Sequence, residues 1–218
     1  MKTKIYPTLT STEKGNIDKY VKEINSLKIK EICLFLTGLE KTERKELYRK
    51  LEETCLEKIP FVHLRSDMNS EELKYLIGKY KTKIFNIHSE KQYPLENDLS
   101  KYIKQIYIEN IFSELDEKEI QKFAGICIDF SHLEKMRLIS PDIYNHNLEI
   151  INKYPFGCAH ISAFKSLDNP VTNHFAEQKS DFDYLKRYKP LFPEICAIEL
   201  ENSISDQLSF IDYIYSII

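Results

Sequence analysis

Gly125-Ile126-Cys127-Ile128-Asp129-Phe130-Ser131-His132 decides how this chain is read. It is a short apolar run rich in β-branched residues that stops on an acid and, three residues later, a histidine. Such a run suits a buried strand of a parallel sheet. The polar residues mark the point where the strand gives way to a loop or helix.

Outward from this stretch, the same form recurs along the chain. Strands are expected over Lys4–Leu9, Glu31–Leu36, Pro60–Leu64, Lys83–His88, Ile106–Asn110, Gly125–Asp129, Phe156–Ile161 and Ile195–Leu200. Amphipathic stretches separate them, including Asn16–Ile24 and Lys41–Glu57, where apolar residues recur at three and four positions. Asn69-Ser70-Glu71-Glu72, Ser140-Pro141-Asp142 and Ser203-Ile204-Ser205-Asp206 open further helices, the last over Gln207–Ile217. Each offers a capping oxygen, first-turn acids or a proline suited to the first helical position. Strand then helix, eight times over, predicts an α/β fold: a compact (β/α)8 TIM barrel in a single domain, residues 1–218. The competing open doubly wound sheet would carry a Gly-rich first turn. This chain has only five glycines and neither GxGxxG nor GxxxxGK[ST], so a dinucleotide or P-loop site is excluded. No GxSxG nucleophile elbow occurs either.

The composition is that of a soluble globular protein: 218 residues, 42% hydrophobic, 30% charged, formal net charge -3. No apolar run approaches the roughly 20 residues that span a bilayer. The start of the chain has no long apolar segment after its lysines, so neither a membrane span nor a cleaved secretory signal is expected. The five cysteines, Cys33, Cys55, Cys127, Cys158 and Cys196, are scattered and form no CxxC. They read as reduced, buried thiols of a cytoplasmic protein. A near-neutral charge balance argues against gripping nucleic acid by bulk charge.

In a (β/α)8 barrel, chemistry gathers at the C-terminal ends of the strands. Six successive ends present His63, His88, Glu109, Asp129, His160 and Glu199, with His132 and His174 close behind. Converging carboxylates in a half-buried mouth repel one another and are costly to desolvate. A divalent cation removes both problems, and imidazole with carboxylate suits Zn²⁺, Mn²⁺, Fe²⁺ or Co²⁺. Glu201 shares strand parity with Glu199 and is the other candidate on the eighth strand. His146, inside a helical pattern, reads as a surface residue, and Glu40–Glu46 as a solvated helix face. The apolar C-terminal stretch Phe210–Ile218 is expected to pack on the barrel or on a partner subunit, so a homo-oligomer is one outcome.

Ile108-Glu109-Asn110, Asp129-Phe130-Ser131-His132, His160-Ile161-Ser162 and Ala197-Ile198-Glu199, in that order, resemble the xylose isomerase-like, divalent-metal TIM barrels. That superfamily includes sugar isomerases and epimerases and the AP endonucleases of the endonuclease IV type. The resemblance runs from about Pro60 to Ile218. Resemblance to the isomerases implies one metal held by Glu109, Asp129, His160 and Glu199, the two glutamates also exchanging a proton with a sugar carbon. Resemblance to the endonucleases implies up to three zinc ions. His63, His88 and Glu109 would bind one, and Glu109, Asp129, His160 and Glu199 a second, bridged by Glu109. His132 and His174 would bind the third.

Two departures bear on that resemblance. Thr172 stands where the endonuclease pattern has Asp, and neither Asp168 nor Glu177 has the spacing to replace it. The loops are also short, apart from Ser89–Glu96 and Lys165–Lys179. One to three ions are therefore expected, with abasic DNA a poor substrate. The leading expectation is hydrolysis of a phosphoester or related bond in a small sugar or phosphorylated compound. Lys165 and Arg65 would steady an anionic substrate, Lys165 falling where the endonuclease pattern tends to carry lysine. A one-metal sugar isomerase or epimerase is the alternative, with Glu109 and Glu199 as its acid/base pair. A degenerate, non-catalytic barrel is the third reading.

Overall fold

A computed structural model of the chain describes residues 3–12, 17–165 and 171–218. All eight expected strands form: β1 (Lys4–Tyr6) with β2 (Thr8–Thr10), β3 (Cys33–Phe35), β4 (Phe61–His63), β5 (Ile84–Ile87), β6 (Ile106–Glu109), β7 (Ile126–Asp129), β8 (Phe156–Ile161) and, after a short hairpin of β9 (Ala163–Lys165) and β10 (Val171–Asn173), β11 (Ile195–Ile198). The first stave is split at Pro7, which has no amide hydrogen to give to a ladder. Its first half pairs in parallel with β11 and its second half with β3. The parallel order β1-β11-β8-β7-β6-β5-β4-β3-β2 therefore returns to its starting strand, and the sheet closes into a (β/α)8 barrel.

Closure is stitched from outside by α7 (Ile204–Ile217). Gln207 is fully buried; its Oε1 accepts from the Thr8 amide at 2.7 Å, and its Nε2 donates to the Thr8 carbonyl at 3.0 Å. One side chain thus takes the place of a neighbouring strand beside Pro7. Phe210, Ile211 and Ile214 of the same helix are buried, so the apolar C-terminal stretch packs on the barrel.

The helical layer is less regular than the repeat predicts. α1 (Ile17–Ser26), α2 (Lys41–Glu52), α3 (Ser70–Tyr80), α5 (Phe130–Ile139) and α6 (Pro141–Lys153) are full helices. The unit after β5 holds only a 3-10 turn, Ser100–Gln105, and the unit after β6 only α4 (Glu117–Ile120). After β10 the chain runs as a 3-10 segment, Lys179–Leu191, that contains Pro190. The start signals hold where they matter: Asn69 accepts from the Glu71 and Glu72 amides, and Pro141 opens α6. α2 stops at Glu52 rather than Glu57, because the Thr54 hydroxyl bonds the Leu51 carbonyl and competes with the helix.

Two side chains in helices depart from their expected surface roles. Arg44 lies inside the stretch read as solvated, yet it is 0% exposed. It is bidentate on Glu72 and reaches both oxygens of Asp67, tying α2 to α3. Three-and-four spacing turns one residue of that charged run inward. His146 is half-buried, its Nε2 3.1 Å from the Leu115 carbonyl.

Inside the barrel, side chains two apart stack in layers. Tyr6, Cys33, Phe61, Cys127, Cys158 and Ala197 form an apolar floor. Gly157 leaves room for the Tyr107 ring, since a Cβ there would stand 2.4 Å from it. Among the described residues no helix is long and apolar enough to cross a membrane. The Gln207→Leu variant is expected to strand two buried main-chain groups, at about 1–3 kcal/mol each. Urea denaturation should show that loss with an unchanged m-value, and a midpoint equal to wild type would refute Gln207's role in closure.

Candidate metal centre

Two residues above the apolar floor, the same inward face of six strands turns polar. Parity sets this: Phe61 precedes His63, Ile84 precedes Asn86, Tyr107 precedes Glu109, Cys127 precedes Asp129 and Cys158 precedes His160, each by two. Glu199 follows Ala197 in the same way. His63, Asn86, Glu109, Asp129, His160 and Glu199 are all at most 2% exposed.

Glu109 is the hub. Its Oε2 lies 3.1 Å from His63 Nε2 and 3.6 Å from His160 Nε2, and accepts from Asn86 Nδ2 at 2.5 Å. Its Oε1 lies 3.7 Å from His88 Nε2 and 3.8 Å from His132 Nδ1. His63 and His88 bring their Nε2 atoms to 3.3 Å. Ligands of a tetrahedral zinc with bonds of about 2.0–2.1 Å stand about 3.3–3.4 Å apart. The spacings around Glu109, His63 and His88 match such an edge.

Three sets place their donor atoms within 4.8 Å of one another: His63, His88 and Glu109; Glu109, Asp129 and His132; and Glu109, Cys127 and His160. Glu109 belongs to all three. Several buried atoms in this layer lack any hydrogen-bond partner among the described residues: His63 Nδ1, Asp129 Oδ2, both ring nitrogens of His160 and Glu199 Oε1. Each unsatisfied group costs about 1–3 kcal/mol. A cation bound among them relieves part of that cost, so the residues fit a metal centre.

The remaining expected residues fall as follows. His132 sits in the first turn of α5, which Asp129 caps by accepting the His132 amide at 2.8 Å. It therefore joins Glu109 and Asp129, not His174. The His174 ring packs against Phe35, and its Nδ1 is 3.2 Å from the Glu199 carbonyl. Glu201 is turned away to bond Thr12, whereas Glu199 faces Ser162 inside the mouth. Arg65 donates to Asp67, Glu40 and the Thr37 carbonyl, and Lys165 pairs with Glu177 at 2.5 Å. Thr172 lies in β10. Asp168 lies outside the described residues.

The sequence reading passed over Asn86, Asn110 and Phe35. Asn110 pairs with the Asp129 main chain through both of its side-chain polar atoms. Phe35 packs its ring against those of His63, His160 and His174. Asn86 was legible as the inward residue two before His88. A cleft of about 360 Å³ opens above this layer, and its lining includes His63, His88, His174, Arg65, Thr12 and Tyr93.

The charges are unevenly held. Burial alone would raise Glu109, but His160 and His88, with hydrogen bonds from His63 and His88, hold it well below the usual carboxylate range. Burial lowers His88, yet the Glu109 and Asp129 charges outweigh it and raise this imidazole. Burial depresses His63, and takes His160 down to about 3. Burial, then the charges of Glu109 and Asp129, push Glu199 well above its usual 4.5. Above pH 4.5 the folded metal-free chain therefore keeps a proton on Glu199 that the unfolded chain has lost. This term falls away from stability as pH rises through that window. The Glu199→Gln variant removes the penalty. Its melting temperature under chelator should gain on wild type as pH rises from about 5 to 8, and a constant difference would refute the assignment.

No family model matches the sequence, and no curated protein matches it. Among solved structures, 14 chains match. One is the crystal structure of a Rhodospirillum rubrum protein provisionally described as a xylose isomerase. It superposes with a TM-score of 0.56 at 9% identity, over 99% of this chain and 99% of that one. At that identity the likeness is one of architecture: the chain has the TIM-barrel fold of that protein, with candidate metal-binding groups at its mouth.

Proposed function

We propose that the chain is a divalent-metal-dependent enzyme that hydrolyses a phosphoester, or a related bond, in a small sugar or phosphorylated compound. The observation that carries this reading is Glu109's membership of two donor sets that share no other residue. His63, His88 and Glu109 would hold one cation, and Glu109, Asp129 and His132 a second, with Glu109 between them. Zn²⁺, Mn²⁺, Fe²⁺ and Co²⁺ all suit such ligands. When bound, the cations supply an activated water at neutral pH and neutralise charge on the attacked centre.

The chain's own groups do the rest. Asn86 fixes the Glu109 carboxylate through its 2.5 Å hydrogen bond. Glu199, beside Ser162, serves as an acid at the mouth. Arg65 in the cleft wall, and Lys165, supply positive charge to an anionic substrate, which competes with the exposed carboxylates of Glu40 and Glu177 for them. The cleft's size supports a small molecule over DNA.

A one-cation sugar isomerase or epimerase is the second reading. The unpartnered atoms of Asp129, His160 and Glu199 favour it, because with Glu109 they form the tetrad that such chemistry uses. Glu109 and Glu199 would then pass the proton.

Elemental analysis of gently purified protein, with phosphatase, phosphodiesterase and ketose/aldose assays, separates these readings. Hydrolysis predicts two metals per chain, with His88→Ala losing one metal and at least about 100-fold in kcat/KM for a phosphoester. One metal that survives His88→Ala but not Asp129→Ala, with isomerase turnover, would establish the alternative. No metal under any condition would leave a non-catalytic barrel.

A further inference from the structure

The set Glu109, Cys127 and His160 is chemically unlike the other two, because it contains sulfur. Register places Glu109 and Cys127 side by side on β6 and β7. Cys127 is 0% exposed, faces inward two residues before Asp129, and lies opposite Cys158 of β8. His160 is 2% exposed, and among the described residues neither of its ring nitrogens has a hydrogen-bond partner. Its ring is held flat on Phe61, with centroids 4.8 Å apart at 25°, so it cannot swing away to find one. A rigid, buried imidazole without partners, a carboxylate and a thiol thus converge at the floor of the mouth.

The oxygen donors above this floor are partly committed. Asp129 Oδ1 is occupied by the Ser131 hydroxyl at 2.7 Å and by the His132 amide at 2.8 Å. Among the described residues, Glu199 belongs to no set whose donors all lie within 4.8 Å.

We infer that Cys127 is a metal ligand: with Glu109 and His160 it forms a floor site that takes a thiophilic divalent cation such as Zn²⁺, Cd²⁺ or Co²⁺ in preference to Mg²⁺ or Mn²⁺. Binding breaks the Cys127 S–H bond, forms the metal–sulfur bond and releases one proton to solvent; no electron moves. Thiolate is a soft donor that suits zinc and cadmium, whereas magnesium and manganese favour an all-oxygen shell. The apolar floor beneath, including Phe61, Cys33 and Ala197, keeps water from competing for the cation. The inference rests on the reading that the barrel mouth binds divalent cations, and it adds to that reading a sulfur ligand and a metal preference.

The test uses the full-length chain, reduced with a phosphine and loaded with Co²⁺ or Zn²⁺. The cobalt protein is expected to show a near-ultraviolet sulfur-to-cobalt charge-transfer band. Cys127→Ser should abolish that band and Cys55→Ser should leave it, with the visible cobalt bands kept in both. On wild-type protein, zinc X-ray absorption should show a sulfur shell at about 2.3 Å, averaging less than one sulfur per zinc where the mouth also holds zinc, which needs no variant to fold. A zinc shell of nitrogen and oxygen alone, or a band unchanged in Cys127→Ser, overturns the assignment while metal-dependent hydrolysis at the mouth stands. Failure to bind either metal overturns both.

Discussion

Everything at the mouth of this barrel depends on how the sheet closes at Pro7. A strand that must serve two neighbours in a tilted ring cannot keep one straight ladder, and proline interrupts the ladder at the crossover. Residues before it belong to the last stave and residues after it to the second. The cost is a main chain exposed between neighbours, and Gln207 covers it. The Thr8 hydroxyl adds a 2.5 Å bond to the Ile198 carbonyl across the same seam. Closure brings the eighth stave's Glu199 to the same rim as His63 and Glu109.

Given closure, the pleat does the sorting. Alternate residues on every stave face the axis, so an apolar layer is capped by an ionisable one over a single step of two residues. The apolar layer lowers the local dielectric, and that is why Glu109 and Glu199, both buried carboxylates, end in opposite states. Glu109 has imidazoles on each side and ionises. Glu199 faces the charges of Glu109 and Asp129, with His174 Nδ1 4.0 Å from its carboxylate, and keeps its proton. Replacing one partner of such a buried cluster typically costs several kcal/mol, since the charge left behind has lost its solvent. A layer this expensive to fold is better explained by a ligand than by stability.

The outer layer is economical where the site does not need it. The fourth and fifth units, short of regular helix, supply Asn86 and Glu109 from the strands themselves. Rigidity around the third stave comes instead from the buried Arg44, which joins α2 and α3 and holds Asp67, and through it one nitrogen of Arg65 at the cleft. Positions far from the mouth thereby shape the charge that a substrate meets.

The sequence by itself determined the eight staves, their parallel order and the identity of the inward polar residues. A short apolar run ending in His, Glu or Asp is a local signal, and six of the eight strands carry their own copy. Helix starts at Asn69, Pro141 and Ser203 were legible for the same reason. Tertiary structure decided what is relational. It made Glu109 the shared residue of the candidate metal-binding sets, placed His132 with Asp129 and apart from His174, set Glu199 beside Ser162 and Glu201 against Thr12, buried Arg44, and brought Asn86 and Cys127 next to Glu109. None of these follows from a residue's own neighbours in sequence, because distances across a closed barrel are set by stagger and tilt, to which every stave contributes.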